Sequence, residues 1–180
     1  PYAAGWYQTV RNATRAGQTF TLTVPAPSGR HRLQAMGMRV RASQPKDSGA
    51  PPFPEGDCWL YLQRASDNAI LASQVIVRAS ALGAATNNYL HVMTNLNAEV
   101  KLEQGQQYRI FIYSPDTSSG YYRVAAPVGL WSNTVPAAAA AQFQGGQGCA
   151  VTSTDGTTWS RFLYTSMDAD TFFMLDLEPI

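Results

Sequence analysis

The sequence predicts an all-β protein: an antiparallel β-sandwich or jelly roll of about a dozen short strands. Three observations carry this prediction. Apolar and polar side chains alternate over many short runs, turn residues separate those runs, and no run has convincing helical periodicity. The chain has 180 residues. We expect a single sandwich domain over residues 1–180, because one continuous β core commonly reaches this size.

Side-chain alternation and turn residues predict twelve strands along the chain. The predicted strands, in chain order, are Gly5–Val10, Gln18–Val24, Leu33–Ala42, Asp57–Gln63, Ile70–Arg78, Tyr89–Thr94, Ala98–Glu103, Gln107–Ser114, Tyr121–Ala125, Cys149–Thr152, Trp159–Tyr164 and Thr171–Leu177. Gln18–Val24 is the clearest, since Phe20, Leu22 and Val24 alternate with threonines. In Leu33–Ala42, one face carries Met36, Met38 and Val40, and the other carries Arg39 and Arg41.

Ser43–Gly56 is predicted to be a long loop. It contains four prolines, which remove backbone donors and stiffen the chain. A loop of this length within a compact domain is often functional, and the alternative is a surface insertion that tolerates change.

The middle of the chain predicts hairpins and one central strand. Asp57–Gln63 and Ile70–Arg78 are joined by a short polar turn around Asp67. Tyr89–Ala125 then divides into four strands, with the first turn placed at residues 95–97. Gln107–Ser114 carries bulky residues on both faces, which is typical of a central or covered strand.

The last elements form a hairpin and a final strand. Asp155-Gly156 is a strong hairpin signal between Cys149–Thr152 and Trp159–Tyr164. Thr171–Leu177 is rich in Phe and Leu and closes the fold.

Composition restricts the function classes. Only 14% of the residues are charged and the net charge is +1, which gives no basis for a nucleic-acid partner. No apolar run approaches the roughly 20 residues of a membrane span. No signal peptide is visible at Pro1, so either one was removed or the chain lost only its methionine.

The cysteines and histidines give no metal signal. Cys58 and Cys149 share strand parity with apolar neighbours, so both are expected to point into a core, as free thiols or as a disulfide. His31 and His91 have no ligand spacing, and a site built from Cys and His is not expected. Calcium is kept as a candidate cofactor. Its candidate ligands are Asp155, Asp168, Asp170, Asp176 and Glu178.

The order of these units resembles a known group of proteins. It runs from Gln18–Thr21 through the hairpin starting at Trp59, the unit Leu102–Tyr108 and the hairpin Gly145–Trp159 to the Phe-rich last strand. This order is similar to jelly-roll accessory modules of secreted glycan-active proteins and of bacteriophage tail and capsid-surface proteins. The resemblance implies binding or assembly and transfers no binding residue.

Catalysis is not expected. The chain lacks a Gly-x-Ser-x-Gly elbow and a His-Glu-x-x-His motif, and neither histidine accompanies a recognisable nucleophile. A carboxylate pair of the glycosidase type remains open, because such pairs meet in space rather than in sequence.

Strand parity predicts a recognition face opposite the core. The faces that point away from it combine arginines with aromatic residues, as interface hot spots do. The predicted binding-face residues are Arg39, Arg41, Trp59, Tyr61, Tyr89, His91, Arg109, Tyr113, Tyr121 and Arg123, with Phe111 among them. The alternative is a second core layer covered by loops such as Ser43–Gly56.

Two functions are left open. The first is a non-catalytic virion-surface protein, a bacteriophage decoration or tail component that binds copies of itself or other virion proteins in a symmetric oligomer. The second is a secreted, extracellular carbohydrate-binding module that stacks the sugars of a cell-surface glycan on aromatic rings. We expect the first, on the virion surface.

Overall fold

The structure, a computed structural model, describes residues 4–43, 52–82, 90–115, 117, 119–127, 149–161, 163–164, 167–168 and 173–180. These residues form thirteen strands and one turn of 3-10 helix, Ala79–Ala81. The strands are β1 Ala4–Val10, β2 Arg15–Thr21, β3 Arg30–Ala42, β4 Cys58–Arg64, β5 Ile70–Val77, β6 Leu90–Glu103, β7 Gln107–Tyr113, β8 Tyr122–Pro127, β9 Cys149–Ser153, β10 Ser160–Arg161, β11 Leu163–Tyr164, β12 Met167–Asp168 and β13 Phe173–Pro179. Within these ranges no helix is long and apolar enough to cross a membrane.

Two antiparallel sheets pack face to face, which confirms the predicted sandwich. The five-stranded sheet has the order β1-β8-β3-β13, with β6 on the other side of β3. The six-stranded sheet has the order β10-β9-β2-β7-β4-β5. A separate pair joins β11 to β12.

The first eight strands pair in a nested way. β4 pairs with β5, β3 with β6, β2 with β7 and β1 with β8, all antiparallel. This is one long hairpin rolled over itself, which is the jelly-roll arrangement. β9 and β13 are added beside β2 and β3.

The core lies between the sheets. The five-stranded sheet contributes alternate residues of β3, such as Met36, Met38 and Val40, and the six-stranded sheet contributes Ile110 and Ile112 of β7. All five are fully buried. Successive side chains of a strand point to opposite faces of its sheet, and only one face of each sheet packs in the core. The alternation of residue types along both strands follows from this arrangement.

β7 is the central strand that the sequence predicts. It pairs with β2 on one side and β4 on the other. Tyr108, Ile110 and Ile112 are buried on its core face, and Phe111 is buried on the opposite face.

Several predicted boundaries differ from the structure, most clearly those of β6 and β2. The predicted turn at residues 95–97 lies inside β6, which continues through it as a bulge: one residue of β3 faces four residues of β6 between the pairs Leu33–Val100 and Ala35–Asn95. β2 begins at Arg15, before the predicted start at Gln18, and ends before Val24, which is exposed.

The described part of the proline-rich loop closes one end of the sandwich. The Ser43 hydroxyl donates to the Pro52 carbonyl at 2.6 Å, and the Tyr122 hydroxyl donates to the Gly56 carbonyl at 2.9 Å. Pro54 lies against Gly120, where an added Cβ would approach its backbone to 2.6 Å. The end of this loop is thus held by partly buried hydrogen bonds. Residues 44–51 lie outside the described residues.

The two cysteines do not form a disulfide. Cys58 is a free thiol in the core, and burial raises the pKa of this thiol, with the charge of Asp57 adding to the effect. Cys149 is the first residue of β9 and is the register partner of Thr19 in β2. Cys58 lies on β4, and two strands, β2 and β7, lie between β9 and β4. At about 4.8 Å per strand, this distance greatly exceeds the span of a disulfide. The side chain of Cys149 lies outside the described residues, so its orientation into the core stays a prediction.

Candidate functional site

The structure divides the predicted recognition face between the two sheets. One group of residues lies on the five-stranded sheet or just before β8: Arg39, Arg41, His91, Tyr121 and Arg123. The other lies on the six-stranded sheet: Trp59, Tyr61, Arg109, Phe111 and Tyr113. The outward faces of two packed sheets point in opposite directions, so these groups form two surfaces. Tyr89 lies outside the described residues.

The group on the five-stranded sheet is rich in arginine. Arg41 and Arg123 are direct partners across β3 and β8, and Arg39 is the partner of His91 across β3 and β6. The Arg123 guanidinium lies 4.5 Å from the ring centre of Tyr121. Like charges on directly paired residues repel each other, so the Arg41–Arg123 pair does not by itself stabilise the pairing of β3 with β8.

The group on the six-stranded sheet is a continuous aromatic cluster. Trp59 and Tyr61 are 6.4 Å apart between ring centres, and Tyr61 stacks on Phe111 at 5.3 Å with an interplanar angle of 9°. Tyr113 meets the edge of Tyr61 at 6.4 Å. These are the tilted and offset geometries that aromatic pairs favour.

Phe111 lies beneath a second layer. Trp159, from the turn after β9, packs on its ring at 4.7 Å, and only 2% of Phe111 is exposed. On the neighbouring strand Gly17 is its register partner, and a Cβ at this position would lie 2.5 Å from the Cα of Phe111. The alternative interpretation of a covered second layer therefore holds for Phe111, and the cover is Trp159.

Arg109 contacts both Trp159 and the turn between β4 and β5. Its guanidinium donates to Gln63 Oε1 at 3.1 Å and to Asn68 Oδ1 at 2.8 Å, and it lies 5.5 Å from the ring centre of Trp159. Gln63 in turn donates to the Gly156 carbonyl at 2.9 Å. Partial burial lowers the pKa of Arg109. These contacts join the β4–β5 turn to the β9–β10 turn, so Arg109 positions the cluster rather than presenting a free charge.

Arg15 covers one ring of the cluster. Its guanidinium lies 4.7 Å from the ring centre of Tyr113 and donates to the Ala13 and Thr154 carbonyls at 2.8 and 3.1 Å. Partial burial raises the pKa of Tyr61; neighbouring Tyr113 adds to this shift and the charge of Arg15 opposes it. The part that remains accessible is centred on Trp59, Tyr61 and Tyr113, which are half-buried.

Sequence reasoning missed Arg15 and Trp159. Arg15 lies ahead of the predicted strand Gln18–Val24, although it is the first residue of β2. Trp159 follows a strong hairpin signal, and the long-range contact that places it over Phe111 has no local signature. We name the aromatic-arginine cluster by its seven members: Arg15, Trp59, Tyr61, Arg109, Phe111, Tyr113 and Trp159.

The calcium candidates do not form a group in the described part of the chain, where no three His, Cys, Asp or Glu side chains are placed to hold a metal ion. Asp155 Oδ1 accepts the Thr157 and Thr158 amides, both at 2.7 Å, and these bonds hold the pKa of Asp155 well below its usual range. Asp176 lies on β13 in the other sheet. Asp170 and the side chain of Asp168 lie outside the described residues.

Fold and surface together define a jelly-roll β-sandwich with an aromatic-arginine cluster on one outward face. Comparison with protein-family models, with curated proteins and with solved structures found no match.

Proposed function

We propose that this chain is a non-catalytic structural or adhesive module of a virion surface, a bacteriophage decoration or tail component, that docks through the aromatic-arginine cluster. The observation that carries the proposal is the exposed part of this cluster. Trp59, Tyr61 and Tyr113 form a contiguous, half-buried aromatic patch on the outward face of the sheet, and such residues dominate protein interfaces.

The internal support of the patch favours docking. Arg109 and Arg15 hold the rings in place through hydrogen bonds that lie within the chain. A rigid patch loses little conformational entropy when it is covered, so more of its burial is available for affinity. The virion location itself rests on the sequence resemblance and on the low charge content.

Arg15 also bears on the choice of partner. It lies over the ring of Tyr113, and Trp159 packs on Phe111, so both rings already have a covered face. A sugar needs an open ring face for stacking, whereas a protein surface can use edges and faces alike. A protein partner, including another copy of this chain, is therefore favoured.

The second candidate, a secreted carbohydrate-binding module, is supported by one observation. Trp59 and Tyr61 occupy successive outward positions of β4, so their rings follow the strand direction. Rings spaced along a strand can stack successive sugars of an extended chain.

The test compares the chain with a double variant, Trp59→Ser with Tyr113→Ser. Val24→Ser serves as the matched control, because Val24 is exposed and lies outside the cluster. Light scattering over a range of concentrations gives the mass of each protein. We expect the chain and the control to form a symmetric oligomer whose mass the double variant reduces.

An oligomer that the double variant leaves unchanged, or a monomer at every concentration, contradicts self-assembly through the cluster. The same proteins are then applied to a glycan array. Binding that the double variant loses supports the carbohydrate-binding alternative, and a blank array contradicts that alternative.

A further inference from the structure

β5 is an edge strand without charge. Among the described residues it pairs only with β4 and forms the end of the six-stranded sheet. Its sequence, ILASQVIV, has no Lys, Arg, Asp or Glu. β6, at the edge of the other sheet, carries Glu99, Lys101 and Glu103. Charged residues on an edge strand oppose pairing with another chain, and β5 lacks this protection.

The ends of β5 carry opposite charges. Asp67 lies in the turn before the strand and Arg78 directly follows it. Asp67 pairs with Arg64 at 2.7 Å, and Arg78 pairs with Asp57 at 3.3 Å. Arg64 ends β4 and Asp57 precedes it, so both lie further from the edge than their partners. Such exposed pairs contribute little by themselves and leave the outer members available for a second partner.

The regular part of β5 lies midway between these charges. A bulge at each end restricts regular pairing with β4 to Ala72–Val75. A two-fold axis perpendicular to the sheet, midway between Ser73 of one copy and Ser73 of another, would pair their β5 strands antiparallel. Residue 78 of one copy then faces residue 68 of the other, next to Asp67. At each end of the contact, charges of alternating sign then lie side by side. One copy supplies Arg64 and Asp67, and the second copy supplies Arg78 and Asp57.

Apolar surface is available beside this edge. Ile70 is 49% exposed. A groove of about 430 Å³ runs between β5 and the bulge of β6, lined by Leu71, Ala72, Leu96 and Val100 among others. A strand added to β5 covers Ile70 and closes the open side of this groove.

We propose that β5 is the contact strand of a two-fold dimer, in which two six-stranded sheets join edge to edge into one sheet. The occupant of this edge is a second copy of the chain, because the charge pattern of the edge is complementary to itself. This dimer deepens the proposed function by naming one partner surface, but it uses a surface separate from the aromatic-arginine cluster.

The dimer places two clusters on one continuous face. Trp59 and Tyr61 lie on β4, one strand from the contact, and the two-fold axis keeps both copies facing the same way. A target with repeated sites is then bound at two points, and the second contact forms at high effective concentration.

The test measures dimer dissociation by sedimentation of the complete chain. Ile70→Lys places a charge on the edge, and Val24→Lys is its matched control because both residues are 49% exposed. We expect a species of twice the 19.6 kDa chain mass. Ile70→Lys should raise its dissociation constant at least about tenfold, and Val24→Lys should leave it unchanged.

Charge reversal tests the self-complementarity directly. Asp67→Arg and Arg78→Asp should each weaken the dimer by about tenfold, because like charges then meet at both ends. The double variant restores opposite charges across the two-fold axis and should recover most of the loss. Thermal unfolding checks that all variants remain folded.

Three results would overturn the proposal: a monomer at all concentrations, an equal effect of Val24→Lys and Ile70→Lys, or a double reversal no tighter than the single reversals. The Trp59→Ser, Tyr113→Ser variant separates this inference from the proposed function. A dimer that survives in this variant supports the β5 contact even where docking through the cluster fails.

Discussion

Phe111 should behave as a core residue although it lies on the outward face of its sheet. It is almost fully buried between Tyr61 and Trp159. Replacing a buried Phe by Ala typically costs about 3–5 kcal/mol, through lost burial and the remaining cavity. This is a large share of the roughly 5–15 kcal/mol that stabilises a domain. We therefore expect Phe111→Ala to lower the free energy of unfolding by about 3–5 kcal/mol.

Thermal and urea unfolding, followed by circular dichroism, measure this loss. At about 2–4 °C per kcal/mol for a chain of this size, the Tm should fall by roughly 6–20 °C. Phe111→Leu keeps most of the apolar volume and should cost less than about 1.5 kcal/mol. Tyr113→Ala, on the same strand and face but half-exposed, should cost about 1 kcal/mol. If Phe111→Ala costs no more than Tyr113→Ala, the covered layer beneath Trp159 does not exist.

Three further predictions concern a glycine, an acid and a thiol. Gly17→Ala should cost more than about 2 kcal/mol in urea unfolding, because its Cβ would collide with the backbone of β7; a neutral effect would contradict this close approach. The pKa of Asp155 is lowered in the folded state, so its stabilisation is complete above about pH 4, near its unfolded pKa, and is lost as pH falls through the folded pKa. Asp155→Asn should therefore flatten the fall in unfolding free energy between about pH 4 and pH 2, and an unchanged slope would refute this. In Cys149→Ser, where Cys58 is the one thiol, labelling by a disulfide reagent at pH 8 should proceed only as fast as unfolding, because Cys58 is buried and burial raises the pKa of its thiol; labelling within seconds would show an accessible thiol.

Much of the fold follows from local patterns. Apolar and polar side chains alternate in Leu33–Ala42, and bulky side chains occupy both faces of Gln107–Ser114. These two patterns identify the central strands of the two sheets. The Asp155-Gly156 signal predicts a turn whose geometry is present: Gly156 has a φ of 79° and β9 pairs with β10. In each case the cause lies within a few residues, in side-chain period or backbone preference.

The surface is harder to predict for a physical reason. Parity tells which residues of a strand share a face, but it does not tell which sheet the strand joins. Arg39 and Tyr61 have the same outward parity and lie on opposite sides of the sandwich. Likewise, Trp159 covers Phe111 through a contact between residues 48 positions apart, and only the assembled sheet brings them together.

The nested pairing of the first eight strands also orders the events of folding. β4 and β5 are joined by a short turn, whereas β1 must meet β8 across more than a hundred residues. Each inner pair brings the ends of the next pair closer and lowers its loop-closure entropy. We therefore expect the roll to close from its tip outward, with slow refolding dominated by the outer strands. Pulsed hydrogen exchange during refolding should protect the amides of β4 and β5 before those of β1 and β8, and the opposite order would require a different nucleus.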